Sequence, residues 1–307
     1  MAEFLGFACT SQTPASAGGS RARLTVLFVG LSLLLAVSAA WAQQITDDRG
    51  RVVTLTAVPQ RIVSLLPSLT ETVCALGQCQ RLVGVDRHSD YPPQVRALPQ
   101  LGAGLDPNIE AVLALKPDLV LISVASRASD RLEALGLKVV ALSTGSHADV
   151  KRVVLQLGAL LAAKQAGAVW ESLDAAVQAA AQGLPGRVRG KTFFFEVSPG
   201  PYAAGSSSFI GETMRRLGVS NVVPAQLGDY PKLSPEFLAQ ADPDIVLVAN
   251  RGSQAEPAYP GWQSLRAVRQ HRVCLFTREQ TDVLVRPGPR LAEAARLLAG
   301  CLQEKLP

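Results

Sequence analysis

Histidine occurs only three times in 307 residues. His88, His147 and His271 fall in separate segments with no paired spacing, so the clustered imidazoles of a free zinc or manganese receptor are missing. No GxSxG, HExxH, phosphate-binding loop or GxGxxG is present, and Gly205-Ser206-Ser207-Ser208 alone nominates no nucleophile, which argues against an enzyme. Charge is sparse at 18% of residues and comes without any run of five like charges. The thirty Lys and Arg behind the net charge of +5 are scattered and do not alternate with aromatics, which speaks against nucleic acid as a partner. None of the five cysteines forms a CxxC pair.

What the chain does have is apolar material, 48% of residues, enough for a sizeable globular core. Its most apolar run, residues 24–41, follows Arg21 and Arg23 and ends in Ala40-Trp41-Ala42 before Gln43. A positive flank, an apolar stretch and small residues before a cut describe a signal peptide over 1–42, cleaved near Ala42, and export to the periplasm. An uncleaved membrane anchor is the alternative, since about eighteen apolar residues just reach spanning length. No cysteine closes the run to carry a lipid. In an oxidising compartment Cys74 and Cys79, five apart, could pair or stay buried thiols; Cys274 and Cys301 have no partner evident from spacing and read as buried thiols.

From residue 43 onward, short Val-, Leu- and Ile-rich runs alternate with helix-like segments, the pattern of an α/β protein with mainly parallel sheets. The pattern occurs twice. RIVSLL (61–66), Pro67-Ser68-Leu69-Thr70 and ETVCALG (71–77) are matched by TFFFEV (192–197), a Pro- and Ser-rich loop and ETMRRLG (212–218). NIEAVLALKPDLVLI (108–122) is echoed by SPEFLAQADPDIVLV (234–248), so that Glu110 answers Glu236 and Pro117-Asp118 answers Pro243-Asp244. Two matches in the same order point to duplicated lobes, over 43–148 and 183–307. Between them, residues 149–182 carry apolar side chains at helical spacing without a proline and read as one long helix of about 45 Å, with Gly158 and Gly167 as the alternative points of a break.

These segments, with DRGRVVTL (48–55), LVGVDRHSDYPP (82–93), FIGETMRRLGVSNVV (209–223) and VRPGPRLAEAARLL (285–298), resemble periplasmic binding proteins of the iron-siderophore, haem and cobalamin group. The resemblance spans nearly all of the chain after residue 42. It implies two Rossmann-like α/β lobes joined by a single long helix, in a monomer that has no resident cofactor. The cargo, a cobalt corrinoid or a ferric chelate, would sit in the cleft between the lobes and be delivered to an inner-membrane ABC permease with its ATPase. By the resemblance Glu110 and Glu236, one per lobe, dock on permease arginines; helix N-terminal acids that only favour the dipole are the other reading.

Cleft candidates are Pro67, Ser68, His88, Tyr91 and the 102–105 loop with Gly104 on one side. Glu196, Tyr202, Tyr230, Asp282 and Arg286 stand on the other. Tyr91 and Tyr202 could instead be core residues, and Asp282 with Arg286, four apart, either contacts corrin amides or forms a local ion pair. His88 and Glu196 either ligate the cargo's metal or make ordinary hydrogen bonds. The chain departs from the cobalamin-binding branch where large aromatics flank the corrin: His88 replaces Tyr, Gly104 and Ser123 replace Trp, Glu196 replaces Phe, and only Tyr230 keeps an aromatic. That loss of apolar contact leaves a ferric siderophore or haem as the alternative cargo.

Overall fold

A computed structural model describes residues 43–200, 202–249, 257 and 259–307; the signal segment read over 1–42 lies outside the described residues. An antiparallel hairpin, β1 (Gln43–Thr46) and β2 (Val52–Leu55), comes first. The first lobe then runs β3 (Ile62–Ser64), α1 (Pro67–Ala75), β4 (Leu82–Val85), the short pair β5 (Gly102–Ala103) and β6 (Asp106–Pro107), α2 (Ile109–Ala114), β7 (Leu119–Ser123), α3 (Ser129–Ala134) and β8 (Val139–Leu142). Two helices follow, α4 (His147–Leu160) and α5 (Ala166–Gln182). The second lobe runs β9 (Thr192–Ser198), β10 (Tyr202–Ala203), α6 (Phe209–Arg216), β11 (Ser220–Asn221), α7 (Pro235–Ala241), β12 (Ile245–Ala249), α8 (Arg266–Arg269), β13 (Val273–Phe276), α9 (Arg278–Leu284) and α10 (Leu291–Lys305).

The sequence repeat is a repeat of topology. The first sheet is parallel in the order β4-β3-β7-β8, the second parallel in the order β11-β9-β12-β13, and each therefore visits its own strands as second, first, third, fourth. Only β10 departs, pairing antiparallel with the end of β9. Strands covered on both faces need unbroken apolar runs, which is why Leu119–Ile122 and Phe193-Phe194-Phe195 are wholly buried. Each such phenylalanine contributes about 1.5–3 kcal/mol of burial.

The second repeat match has an equally specific cause. Asn108 and Ser234 cap α2 and α7 by accepting the amides of Ala111 and Phe237. After each helix the chain turns through a left-handed residue, Lys116 (φ 46°) or Asp242 (φ 35°), into proline, which cannot continue the helix. The next residue satisfies the start of the lobe's first strand. Asp118 accepts the amides of Gln60 and Arg61 at 2.8 and 3.0 Å, and Asp244 accepts that of Thr192 at 3.0 Å.

The single long helix expected over 149–182 is two helices. The chain leaves α4 through a left-handed Ala162 (φ 55°), with the Ala163 amide closing back on the Gly158 carbonyl at 2.7 Å. A Cβ on Gly158 would lie 2.2 Å from the Ala166 Cβ, so glycine is what lets α5 start against α4. Periodicity hid the break because Leu157, Leu160, Leu161, Leu173 and Val177 are all buried on both sides of the turn. α4 packs on α1 and β1 of the first lobe, α5 on α6 and α10 of the second, and the two helices on each other.

All four cysteines among the described residues are paired. Cys74–Cys79 ties the end of α1 to the following turn, as one of the two readings had it. Cys274–Cys301 corrects the reading of two buried thiols: it joins β13 to α10, which the chain brings together only after the loop and α9 have folded back.

Candidate functional site

In an open parallel α/β sheet the side chains free to meet a ligand follow the strands' carboxyl ends. A cavity of about 250 Å3 is lined by such residues of the first lobe and by residues at the end of α9 in the second. Leu66, Pro67 and Ser68 follow β3, His88 follows β4, Thr144 follows β8, and Asp282, Val285, Arg286 and Pro287 come from α9 and the turn after it. Five expected residues, Pro67, Ser68, His88, Asp282 and Arg286, therefore meet in one place. Thr144 was not expected; its hydroxyl lies 3.3 Å from that of Ser68. The signal available in the sequence was a Ser-Thr-Gly-Ser turn after an apolar run, too common to single out.

The remaining cleft candidates do not line this cavity. Tyr91 is half-exposed with its ring 4.4 Å beneath the Arg290 guanidinium, and Tyr202 lies 5.7 Å from the Lys232 ammonium, so both rings serve as cation platforms. Tyr230 is exposed in the connection from β11 to α7. Gly104 answers a backbone requirement, because a Cβ there would sit 2.1 Å from the Leu65 carbonyl. The second lobe makes the same close approach with Gly205 against the Gly228 carbonyl.

Glu196 is 3% exposed, on the face of β9 that carries Phe194 toward Trp262 and Tyr259. Burial pushes its carboxyl up to about 7, with the Tyr259 hydroxyl pulling the other way. Neither its Oε2 nor that hydroxyl has a hydrogen bond of normal geometry. His88 is exposed and its Nε2 accepts from Arg87 Nε at 3.1 Å, so metal ligation through that nitrogen displaces Arg87. Among the described residues no group of three or more His, Cys, Asp or Glu side chains is arranged to hold a bare metal ion.

The two lobes meet beneath the cavity through charge. Glu71 of α1, 1% exposed, accepts Arg290 Nε and Nη2 at 2.9 and 2.8 Å and Arg286 Nη1 at 3.4 Å. Arg286 also reaches Asp90 at 2.7 Å and Asp282 at 3.4 Å, so the local ion pair exists as one arm of a larger network. Burial raises the Glu71 carboxyl above its ordinary value against the pull of both arginines. At Asp90 burial is outweighed, and Arg286 holds the carboxyl below its ordinary range. Glu110 and Glu236 lie elsewhere, exposed at the second position of α2 and α7. Arg131 approaches Glu110 at 3.5 Å, while the Glu236 backbone amide and Ser234 lower the Glu236 carboxyl.

The family model described as periplasmic binding protein matches residues 62–279, most of the chain and the strand ends of both lobes. The chain belongs to the periplasmic binding protein family. An uncharacterised ABC transporter substrate-binding lipoprotein of Bacillus subtilis is 31% identical to this binding protein over 273 residues, covering 83% of each chain. A vitamin B12-binding protein of Pectobacterium atrosepticum is 26% identical, covering 81% of this chain and 90% of its own. The crystal structure of a periplasmic haem-binding protein from Pseudomonas aeruginosa superposes with a TM-score of 0.69 at 26% identity, covering 81% of this chain and 94% of the other. This binding protein is accordingly the substrate-binding component of an ABC importer, a transport protein and not an enzyme.

Proposed function

We propose that this protein captures a metal chelate, a corrinoid first, between its two lobes and delivers it to an inner-membrane permease with its ATPase. The observation that carries the reading is the cavity built by both lobes, from strand ends of the first and from α9 with its following turn in the second. Its 250 Å3 is small for a macrocycle; Leu105 and Val124 of the first lobe and Tyr202, Leu227 and Tyr230 of the second are further exposed apolar side chains outside its lining. Exposed apolar side chains of this kind suit a cargo with apolar faces.

The corrinoid is favoured by the vitamin B12-binding relative and by Asp282 and Arg286, which offer an acceptor and donors to peripheral amides. Haem or a ferric siderophore is the second reading, supported by the His88 imidazole in the cavity wall and by the haem-binding structural relative. Glu110 and Glu236, exposed at matching helix positions, suit bidentate docking on permease arginines.

The test is a titration of the purified protein with cyanocobalamin, haem and a ferric hydroxamate, followed by calorimetry and absorption. One of the three is expected to bind with micromolar or tighter affinity. Glu110→Gln with Glu236→Gln should leave that affinity unchanged and abolish uptake in a transport assay. Failure of all three chelates to bind contradicts the reading.

A further inference from the structure

The repeat ETVCALG and ETMRRLG places two glutamates, Glu71 and Glu212, at matching positions of the first helix in each lobe. Each is followed by a threonine whose hydroxyl donates to the carbonyl four residues back, Thr72 to Ser68 and Thr213 to Phe209. Each also leaves its own lobe. Glu71 receives Arg286 and Arg290 from the second lobe, as above. Glu212 of the second lobe accepts the His147 amide at 2.6 Å, at the start of α4, where Thr213 Oγ1 lies 2.7 Å from His147 Nε2. α4 is fastened to the first lobe through Arg152, which reaches Asp48 at 2.8 Å.

We propose that Glu71 and Glu212 form a duplicated pair of inter-lobe clasps, and that Glu71 is a positioning residue for cargo binding because it holds Arg286 in the wall of the cleft. The first clasp is made of buried charges. Arg286, Arg290 and Glu71 are 10%, 11% and 1% exposed, so neither guanidinium can turn to water while the lobes stay closed. The second is a carboxylate on the free amide at a helix N-terminus, where such a group is favoured. Beside the first clasp, the turn at Gly288 packs closely on the first lobe, where a Cβ would come 3.4 Å from the Ser68 Cβ. Two separated fastenings between rigid lobes share any opening motion, so loosening one exposes the other.

The cargo half rests on the cleft being the chelate site; the coupling half does not. Hydrogen exchange at the His147 amide reads the coupling without any ligand. In Glu71→Gln this amide is expected to exchange at least tenfold faster than in the parent, while Val246 in the β12 core keeps its protection; an unchanged His147 rate overturns the coupled clasps. Should Glu71→Gln fail to fold, the double variant Glu71→Gln, Arg290→Met removes the pair without stranding a buried charge and is read the same way. With whichever chelate binds the parent protein, Glu71→Gln should raise the dissociation rate at least tenfold and Glu71→Asp should restore part of it. Parental dissociation in Glu71→Gln removes the positioning role even if the clasps stand. Absence of any chelate binding by the parent overturns the function proposed for the cleft and leaves the His147 result to decide the clasps.

Discussion

Glu196→Gln is expected to be more stable than the parent protein above pH 7, by about 3 kcal/mol, and close to the parent at pH 4.5. Burial raises the folded-state value of Glu196 from 4.5 to about 7. The stability this acid contributes is full below the unfolded value and is lost as the pH rises through the folded one, about 3 kcal/mol for a shift of this size. His147 works in the opposite sense. Burial, followed by the Arg216 charge, lowers its value from 6.5 to about 4. Its hydrogen bonds agree: the Thr213 hydroxyl donates to Phe209, so Nε2 donates to Thr213 and Nδ1 accepts from Arg216 at 3.2 Å, which leaves no place for a second ring proton. Its contribution is full above 6.5 and is lost as the pH falls toward 4.

Between pH 4.5 and 6.5 the two slopes oppose each other by one proton each, so these groups leave the parent protein nearly indifferent to pH there. Each variant unmasks the other group: Glu196→Gln should gain stability with rising pH in that window, and His147→Gln should lose it. Urea unfolding at half-unit pH steps measures both. Parallel curves for parent and variants would show that neither group titrates abnormally.

The second large effect concerns the disulfides. Removing a cross-link restores loop entropy to the unfolded chain, so the closure of 27 residues by Cys274–Cys301 should be worth about 3.5 kcal/mol, and the closure of five by Cys74–Cys79 about 2 kcal/mol. The expected order of unfolding midpoints is parent, Cys74→Ala with Cys79→Ala, then Cys274→Ala with Cys301→Ala. Dithiothreitol should bring the parent below both. The longer bridge matters more for a further reason: α10 is also the helix that carries α5, so freeing it loosens the seat of the link on the second lobe. Equal midpoints in oxidised and reduced protein would contradict this, as would four alkylated cysteines in unreduced protein exported to the periplasm.

The parts of this molecule visible in the sequence are those built from neighbouring residues. Apolar runs bounded by proline marked the strands, and the ordered repeat marked the lobes, because parallel strands and proline-stopped helices impose their pattern locally. Pro67, Ser68 and His88 follow strand ends, whereas Asp282 and Arg286 were found through the family resemblance. What stayed hidden depends on distant chain. The break between α4 and α5 turns on Gly158 meeting Ala166, while buried residues continue the helical period across it. Cys274 and Cys301 meet only once β13 and α10 are in place. Glu196 reads as a cleft residue by its position on β9, and only the packing of Tyr259 and Trp262 shows it buried. The glutamates of the ET repeat were seen as identities, but their partners lie 219 residues away for Glu71 and 65 for Glu212.

One cargo is held by both lobes at once on this account, between strand ends of the first and the end of α9 in the second. Hydrogen exchange of the protein with and without its tightest-binding chelate tests this most directly. Slowed exchange is predicted together at the amides of residues 66, 68, 88 and 144 of the first lobe and 282–286 of the second. Protection confined to one lobe would contradict it, and so would protection only at the separate cavity of about 360 Å3 beside Lys151, Trp170 and Arg215.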